Sequence, residues 1–190
     1  QICARAERPW CDALSTQTKW TRLRNGRCGA AAAVVFLQAP PAAADALPPP
    51  SGPVLLEVDG AIANRNVGDA AHFDRAMLEA LGDAQIDTTT SWTDGVKRFR
   101  GAPIRALFDA VGAEGDSVLA LAHDDYRVSI PIAELLRYDV LLALEMDGTP
   151  LTTRTKGPVW LIYPRDDYEE LQSDATDVLM VWYLKRFTVK

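Results

Sequence analysis

Residues 146–168 constrain the fold of this sequence more than any other stretch, because they combine a tight turn, a polar loop and a short apolar run. Asp147-Gly148 follows the apolar run 140–144, and an Asp-Gly pair readily adopts the positive backbone angles of a two-residue hairpin turn. The run 159–163 is almost continuously apolar, which is typical of a strand buried on both faces. The stretch therefore predicts a hairpin followed by a buried strand.

The polar loop 152–157 carries Arg154 and Lys156 directly ahead of this predicted strand. Pro164 follows the strand and is expected to end it, because proline has no backbone N–H to donate to a neighbouring strand. Arg165 is thereby placed at the end of a rigid element, where proteins commonly present binding groups. The three cations are candidate ligand-binding residues, and ordinary surface charge is the alternative interpretation.

The sequence from residue 54 onward predicts many short strands and a few short helices. Strands are expected over residues 54–58, 85–91, 96–99, 117–122, 126–130 and 179–189, and helices over residues 70–81, 103–111 and 132–137. Because strands and helices do not alternate regularly, this order favours an α+β fold with mixed or antiparallel sheets and short inserted helices.

The first 46 residues differ in composition from the rest and form a predicted leader. Three arginines at positions 22–27 precede the small apolar run 29–37, and residues 39–46 contain two Ala-x-Ala sites. A charged region, an apolar region and a small-residue cleavage site in this order are typical of a secretory signal peptide. The sequence thus predicts an exported, periplasmic protein, and a low-complexity Ala/Pro linker is the alternative.

The chain has three predicted parts, which are the leader (residues 1–46), a spacer and one domain. Residues 1–21 lie upstream of the signal pattern and begin without Met, so we interpret them as an upstream extension or as part of a fragment. The mature chain is expected to begin at Leu47, with a stiff proline-rich spacer over 47–53. Residues 54–190 are long enough for one domain with a sizeable core.

Charge and cysteine content restrict the partners of the mature chain. It contains 14 basic and 23 acidic residues, a net charge of −9 against −6 for the entire sequence. This balance argues against a nucleic acid or an anionic membrane surface as partner, and the predicted mature chain has no membrane span. All three cysteines, Cys3, Cys11 and Cys28, lie in the leader, so the mature chain is cysteine-free.

Several segments together resemble the sulfite-oxidase-type molybdopterin-binding oxidoreductase domain. The central stretch is similar to the family pattern M-N-G-x-P-L, H-G-x-P-x-R-L and V-x-P through Met146, Asp147, Gly148, Pro150, Leu151, Gly157, Pro158, Leu161 and Pro164. Residues 101–108 resemble the family's G-V-P-L-x-D-L-L, and residues 181–189 its V-K-W-L-x-x-I-x-V. The resemblance covers most of the chain from about residue 54 and implies the family's α+β fold, with molybdopterin as its cofactor.

The sequence departs from the family where catalytic members hold molybdenum through a cysteine on the strand after the first helix. The matching strand, 86–92, places Thr88 at or near that position. A threonine hydroxyl is a hard donor and a poor replacement for a soft thiolate. We therefore predict no metal ligand and no catalytic residue in the mature chain, and the cofactor stays unknown. Molybdenum held by a pterin dithiolene alone is the alternative.

The positions that the resemblance assigns to pterin-phosphate contacts are altered as well. Lys156 stands at the family's loop histidine, Trp160 at an arginine, and Trp182 near a lysine. Indoles can stack or donate one hydrogen bond, but they cannot neutralise a phosphate. The resemblance also places Trp92 beside the family's cofactor cleft, so the three tryptophans are pocket candidates. Plain core aromatics are the alternative interpretation.

We therefore expect an exported, degenerate molybdopterin-oxidoreductase-like domain that acts as a ligand-binding or interaction module. The alternatives are an active molybdopterin-dependent oxidoreductase with a cysteine-free metal site, and a purely structural role for every candidate residue. If the cations converge near Trp160, they form a cationic rim over an aromatic floor, which suits a small organic anion. A periplasmic protein is the other candidate partner. The candidate pocket residues are Thr88, Trp92, Arg154, Lys156, Trp160, Arg165 and Trp182.

Overall fold

The computed structural model describes residues 47–190, and the predicted leader with its three cysteines lies outside them. Among these residues no helix has both the length and the apolar character needed to cross a membrane. In chain order the elements are β1 (Leu56–Gly60), β2 (Ala71–Phe73), α1 (Arg75–Ala80), β3 (Ala84–Thr88), β4 (Lys97–Pro103), α2 (Ile104–Val111), β5 (Ser117–Ala122), β6 (Arg127–Pro131), α3 (Ile132–Arg137), β7 (Leu141–Met146), β8 (Thr149–Pro150), β9 (Trp160–Ile162), two 3-10 turns (Arg165–Asp167 and Glu169–Leu171), α4 (Asp174–Asp177) and β10 (Leu184–Val189).

The strands form two five-stranded sheets that share one apolar core. The first sheet has the order β2-β1-β10-β5-β6, in which β1 and β10 are parallel and the other pairs are antiparallel. The second has the order β3-β4-β7-β8, with β9 also paired to β7, and it is antiparallel throughout. The predicted α+β class with mixed and antiparallel sheets is confirmed.

The hairpin and the buried strand predicted from residues 146–168 are both present. Asp147 and Gly148 have φ values of 51° and 73°, the positive angles of the tight turn that joins β7 to β8. Strand β9 and its neighbours Val159 and Tyr163 are fully buried. The predicted helix 103–111 is also confirmed as α2, which follows Pro103 and ends at Gly112 with φ 59°.

The predicted helix 70–81 is wrong in its first half. Residues 71–73 form β2 and pair with β1, and α1 begins only after Asp74, whose carboxylate accepts a hydrogen bond from the backbone N–H of Met77. Pairing with β1 therefore outweighs the helical pattern upstream of this cap. The last strand is also shorter than predicted, because residues 179–183 precede β10 and Tyr183 has a φ of 53°.

Asp74 anchors the proline-rich segment as well as α1. Its carboxylate is buried and accepts hydrogen bonds from the N–H groups of Met77 at 2.9 Å, Gly52 at 2.8 Å and Ser51 at 2.7 Å. These donors, Met77 first and Gly52 second, lower the pKa of Asp74 from 3.8 to about 2. The ionised carboxylate therefore stabilises the fold.

This arrangement predicts a specific pH dependence of stability. Because the folded-state pKa of Asp74 is depressed, its contribution is complete above the unfolded value near 4 and is lost as pH falls toward 2. Asp74→Asn is expected to lower the melting temperature at pH 7 by several degrees and to flatten the change in stability between pH 4 and pH 2. Thermal melts at a series of pH values test this, with the exposed Asp94→Asn as control. Equal acid sensitivity in Asp74→Asn and wild type contradicts it.

Candidate functional site

Trp160 lies at the centre of the candidate site but has no exposed surface. Strand β9 places its indole against Phe99, with the ring centroids 5.3 Å apart, and its Nε1 donates to the carbonyl of Met180 at 3.1 Å. Its polar atom is thus satisfied inside the core. Trp160 is therefore a core aromatic, and it cannot be the exposed floor of a pocket.

Trp92 packs against both Trp160 and Trp182, and Trp92 and Trp182 are half-buried. Trp92 lies in the loop after β3, and Trp182 lies between α4 and β10. Their rings meet edge to face with centroids 4.7 Å apart, and Trp92 is 6.3 Å from Trp160. This is a favourable geometry for aromatic pairs. The three predicted tryptophans therefore form one cluster, of which only the outer two reach the surface.

The ammonium group of Lys156 lies on this cluster. Its Nζ is 4.3 Å from the ring centroid of Trp182, 5.7 Å from that of Trp160 and 5.9 Å from that of Trp92. Lys156 has a φ of 69°, and its carbonyl accepts a hydrogen bond at 3.1 Å from the N–H of Tyr183, which is also left-handed. At these distances the ammonium is attracted to the faces of the indoles.

Thr88 ends β3 and is fully buried. Its Oγ1 accepts a hydrogen bond from the N–H of Asp166 at 3.2 Å and lies 3.3 Å from the carbonyl of Thr89, to which it donates. The Asp166 carboxylate in turn accepts from the N–H and hydroxyl of Thr89, at 2.7 and 2.5 Å. The Thr88 hydroxyl therefore joins β3 to the turn after β9.

The donor set around Thr88 does not fit molybdenum. Residues 47–190 include no cysteine, and they contain no cluster of three or more His, Cys, Asp or Glu side chains able to hold a metal ion. The one polar side chain at the position that the resemblance assigns to the thiolate is a hydroxyl already used by Asp166 and Thr89. Thr88 therefore supplies no soft thiolate to bind or tune the metal at this position.

The other two predicted cations have different surroundings. Arg165 donates from Nη1 to the hydroxyl of Ser91 at 2.8 Å and lies 3.1 Å from the carboxylate of Asp177, so its charge is compensated. Ser91 also donates to Asp177. Arg154 is exposed and makes none of the cation–π contacts described for Lys156. The expected rim of three cations over Trp160 is therefore not the observed arrangement.

A cleft of about 210 Å³ opens beside the outer tryptophans. Its wall comes from the loop after β3, the turn between β5 and β6, and the segment between α4 and β10. The lining residues are Trp92, Asp124, Tyr126, Asp177, Val178, Met180, Val181 and Trp182. Sequence reasoning predicted the two tryptophans but missed the others. Tyr126 reaches the cleft by donating its hydroxyl to the carbonyl of Val178, 52 positions away, and no local pattern signals such a contact.

Comparison with known proteins agrees with this architecture. Residues 74–166, from the cap of α1 to the turn after β9, match the family model described as the oxidoreductase molybdopterin binding domain. The solved structure of the sulfane dehydrogenase SoxCD from Paracoccus pantotrophus is similar in fold, with a TM-score of 0.50 and 18% sequence identity. That match covers 72% of this chain but only 38% of the SoxCD chain. A search of curated proteins found no match. Over residues 74–166, about half of the chain, this protein is therefore similar to the oxidoreductase molybdopterin binding domain family, and its fold is that of a molybdopterin oxidoreductase.

Proposed function

We propose that this domain no longer holds molybdenum and acts as a ligand-binding or interaction module. The observation that carries the proposal is the state of Thr88, a buried hydroxyl that is hydrogen-bonded to Asp166 and Thr89. Molybdenum ligation by the protein requires a soft donor at this place, and a neutral hydroxyl is both hard and weakly acidic. Thr88 thus has a structural role in joining two segments.

The residues at the positions assigned to the cofactor's phosphate would also bind it weakly. Trp160 stands where the resemblance has an arginine, and its buried indole cannot neutralise an anion. Lys156 directs its charge onto the three indoles, and Arg165 is paired with Asp177. A phosphate would have to draw either cation away from a stabilising contact. These contacts favour a cofactor-free domain over the alternative of an active oxidoreductase with a cysteine-free metal site.

Dependence of folding stability on cofactor supply tests this proposal. A cofactor that binds only the native state raises its melting temperature. We expect protein from a host unable to make molybdopterin to melt within about 1 °C of protein from a molybdenum-replete host. A family member that has the cysteine is the positive control, and it should melt higher when the cofactor is supplied. A similar increase in this protein contradicts the proposal and supports the enzymatic alternative.

We also propose that the protein is exported to the periplasm, on the strength of the three arginines, the apolar run 29–37 and the Ala-x-Ala sites. Mass spectrometry of the protein from a periplasmic fraction should find an amino terminus near Leu47. Deletion of residues 29–37 should leave the protein in the cytoplasm. Recovery of the uncleaved chain from the cytoplasm, for the wild type as well as for the deletion variant, contradicts export. A small organic ligand or a periplasmic protein is the partner that this location makes available.

A further inference from the structure

We propose that the cleft between Trp92, Trp182 and Tyr126 binds a small organic cation with an apolar body. This inference rests on the proposed function, because it gives the domain a ligand that needs no molybdenum. The cleft holds about 210 Å³, which limits a ligand to a small molecule. Its charge and its walls determine the class of ligand.

The walls of the cleft are apolar and accessible. Tyr126 is 42% exposed and Val178 is 51% exposed, which is unusual for large apolar side chains that lie next to each other. The half-buried indoles of Trp92 and Trp182 complete the wall. A ligand with a hydrocarbon or aromatic body would remove this surface from water, and the hydrophobic effect favours that transfer.

The charged groups that line the cleft are carboxylates. Asp177 is compensated by Arg165 at 3.1 Å. Asp124 is exposed, and its Oδ1 accepts a hydrogen bond at 3.2 Å from the backbone N–H of Tyr126, which holds the carboxylate at the cleft. A carboxylate can accept several more hydrogen bonds. Of the two carboxylates in the lining, Asp124 has no ion pair within residues 47–190, and its negative charge is complementary to an ammonium group.

The indoles add to this preference, because the faces of aromatic rings attract cations. An ammonium placed at Asp124 would gain a charge-assisted hydrogen bond while its body contacts Trp92 and Trp182. The sequence predicted an organic anion from Arg154, Lys156 and Arg165. In this cleft an anion would be repelled by the carboxylate of Asp124. Neither Arg154 nor Lys156 lines the cleft.

Lys156 is the group that opposes cation binding. Its ammonium is 4.3 Å from the ring centroid of Trp182, so it weakens the attraction of that indole for a second cation. Its position outside the cleft lining leaves the Asp124 end free. Lys156→Gln is therefore expected to tighten amine binding, whereas a site for an anion would lose affinity in the same variant. This opposite sign separates the two ligand classes.

Titration with three matched probes tests the inference. The purified protein is titrated with 2-phenylethylammonium, with 3-phenylpropionate and with 2-phenylethanol, and the indole N–H signals of Trp92 and Trp182 are followed by NMR. The amine should bind at least about tenfold more tightly than the acid or the alcohol. Asp124→Asn should weaken amine binding about tenfold, and Asp125→Asn, at an exposed neighbour outside the lining, should leave it unchanged.

Three results overturn the inference: tighter binding of the acid, equal amine affinity in Asp124→Asn and wild type, or weaker amine binding in Lys156→Gln. Thermal melts of each variant establish that it is folded, and Asp124→Ala is a second variant at the same exposed position. Molybdenum content of the same preparation separates this inference from the proposed function. Equimolar metal refutes the proposed function, whereas metal-free protein that does not bind the amine refutes the cation site alone.

Discussion

Gly101→Ala is expected to prevent stable folding of this protein. Gly101 lies in β4 where the pairing with β7 shifts register, and a Cβ at this position would lie 2.0 Å from the carbonyl oxygen of Leu142 and 3.0 Å from the Cα of Ala143. Both atoms belong to the backbone of the adjacent strand, so relief requires the two strands to separate. We expect a loss of more than about 3 kcal/mol in the free energy of unfolding.

Gly52→Ala is the matched control for this variant. A Cβ at Gly52 would meet the Asp74 carboxylate at 3.6 Å, which is an ordinary van der Waals contact. Its free energy of unfolding should stay within about 0.5 kcal/mol of wild type. Expression yield and denaturant unfolding measure both variants. If Gly101→Ala unfolds at the same denaturant concentration as Gly52→Ala, the close approach of β4 and β7 is incorrect.

Trp160→Ala is expected to cost about 3–5 kcal/mol of unfolding free energy. The substitution leaves a cavity against Phe99 and leaves the carbonyl of Met180 without its donor. Trp160→Phe keeps most of the ring packing and should cost less. Trp182→Ala should also cost less, because Trp182 is only half-buried.

Denaturant unfolding of the three tryptophan variants measures these differences, and the order of costs is the critical result. A larger loss in Trp182→Ala than in Trp160→Ala would mean that the outer indole, not Trp160, supports the core. Amine binding by the folded Trp160→Phe variant should persist, since Trp160 does not line the cleft. The Trp160→Phe variant therefore tests the structural role of Trp160 separately from ligand binding.

Short sequence patterns predicted the elements whose conformation depends mainly on residues close to each other in the chain. Asp147-Gly148 adopts positive φ values because of its own chemistry, and the run 159–163 is apolar because both of its faces are covered. Residues 71–73 were predicted as helix because their apolar spacing continues that of α1. Pairing with β1 makes them a strand, and this partner lies outside any local window.

The members of the tryptophan cluster were predictable from the sequence, but their geometry was not. The resemblance brought Trp92, Trp160, Trp182 and Lys156 together, and the structure places them in one cluster. The burial of Trp160 depends on the packing of β9 against the rest of the core, which spacing along the chain does not encode. The contribution of Tyr126 to the cleft depends on a contact between distant segments in the same way.

The metal and pterin content of the purified protein shows directly whether this domain holds molybdenum. The protein should be produced with its leader in a molybdenum-replete host, purified from the periplasmic fraction and analysed by elemental mass spectrometry and pterin fluorescence. A family member that has the cysteine, produced in parallel, shows that the host supplies the cofactor. With Thr88 in place of the thiolate, we predict molybdenum and pterin far below one equivalent per chain. One equivalent of each would mean that the domain still binds the cofactor without the cysteine.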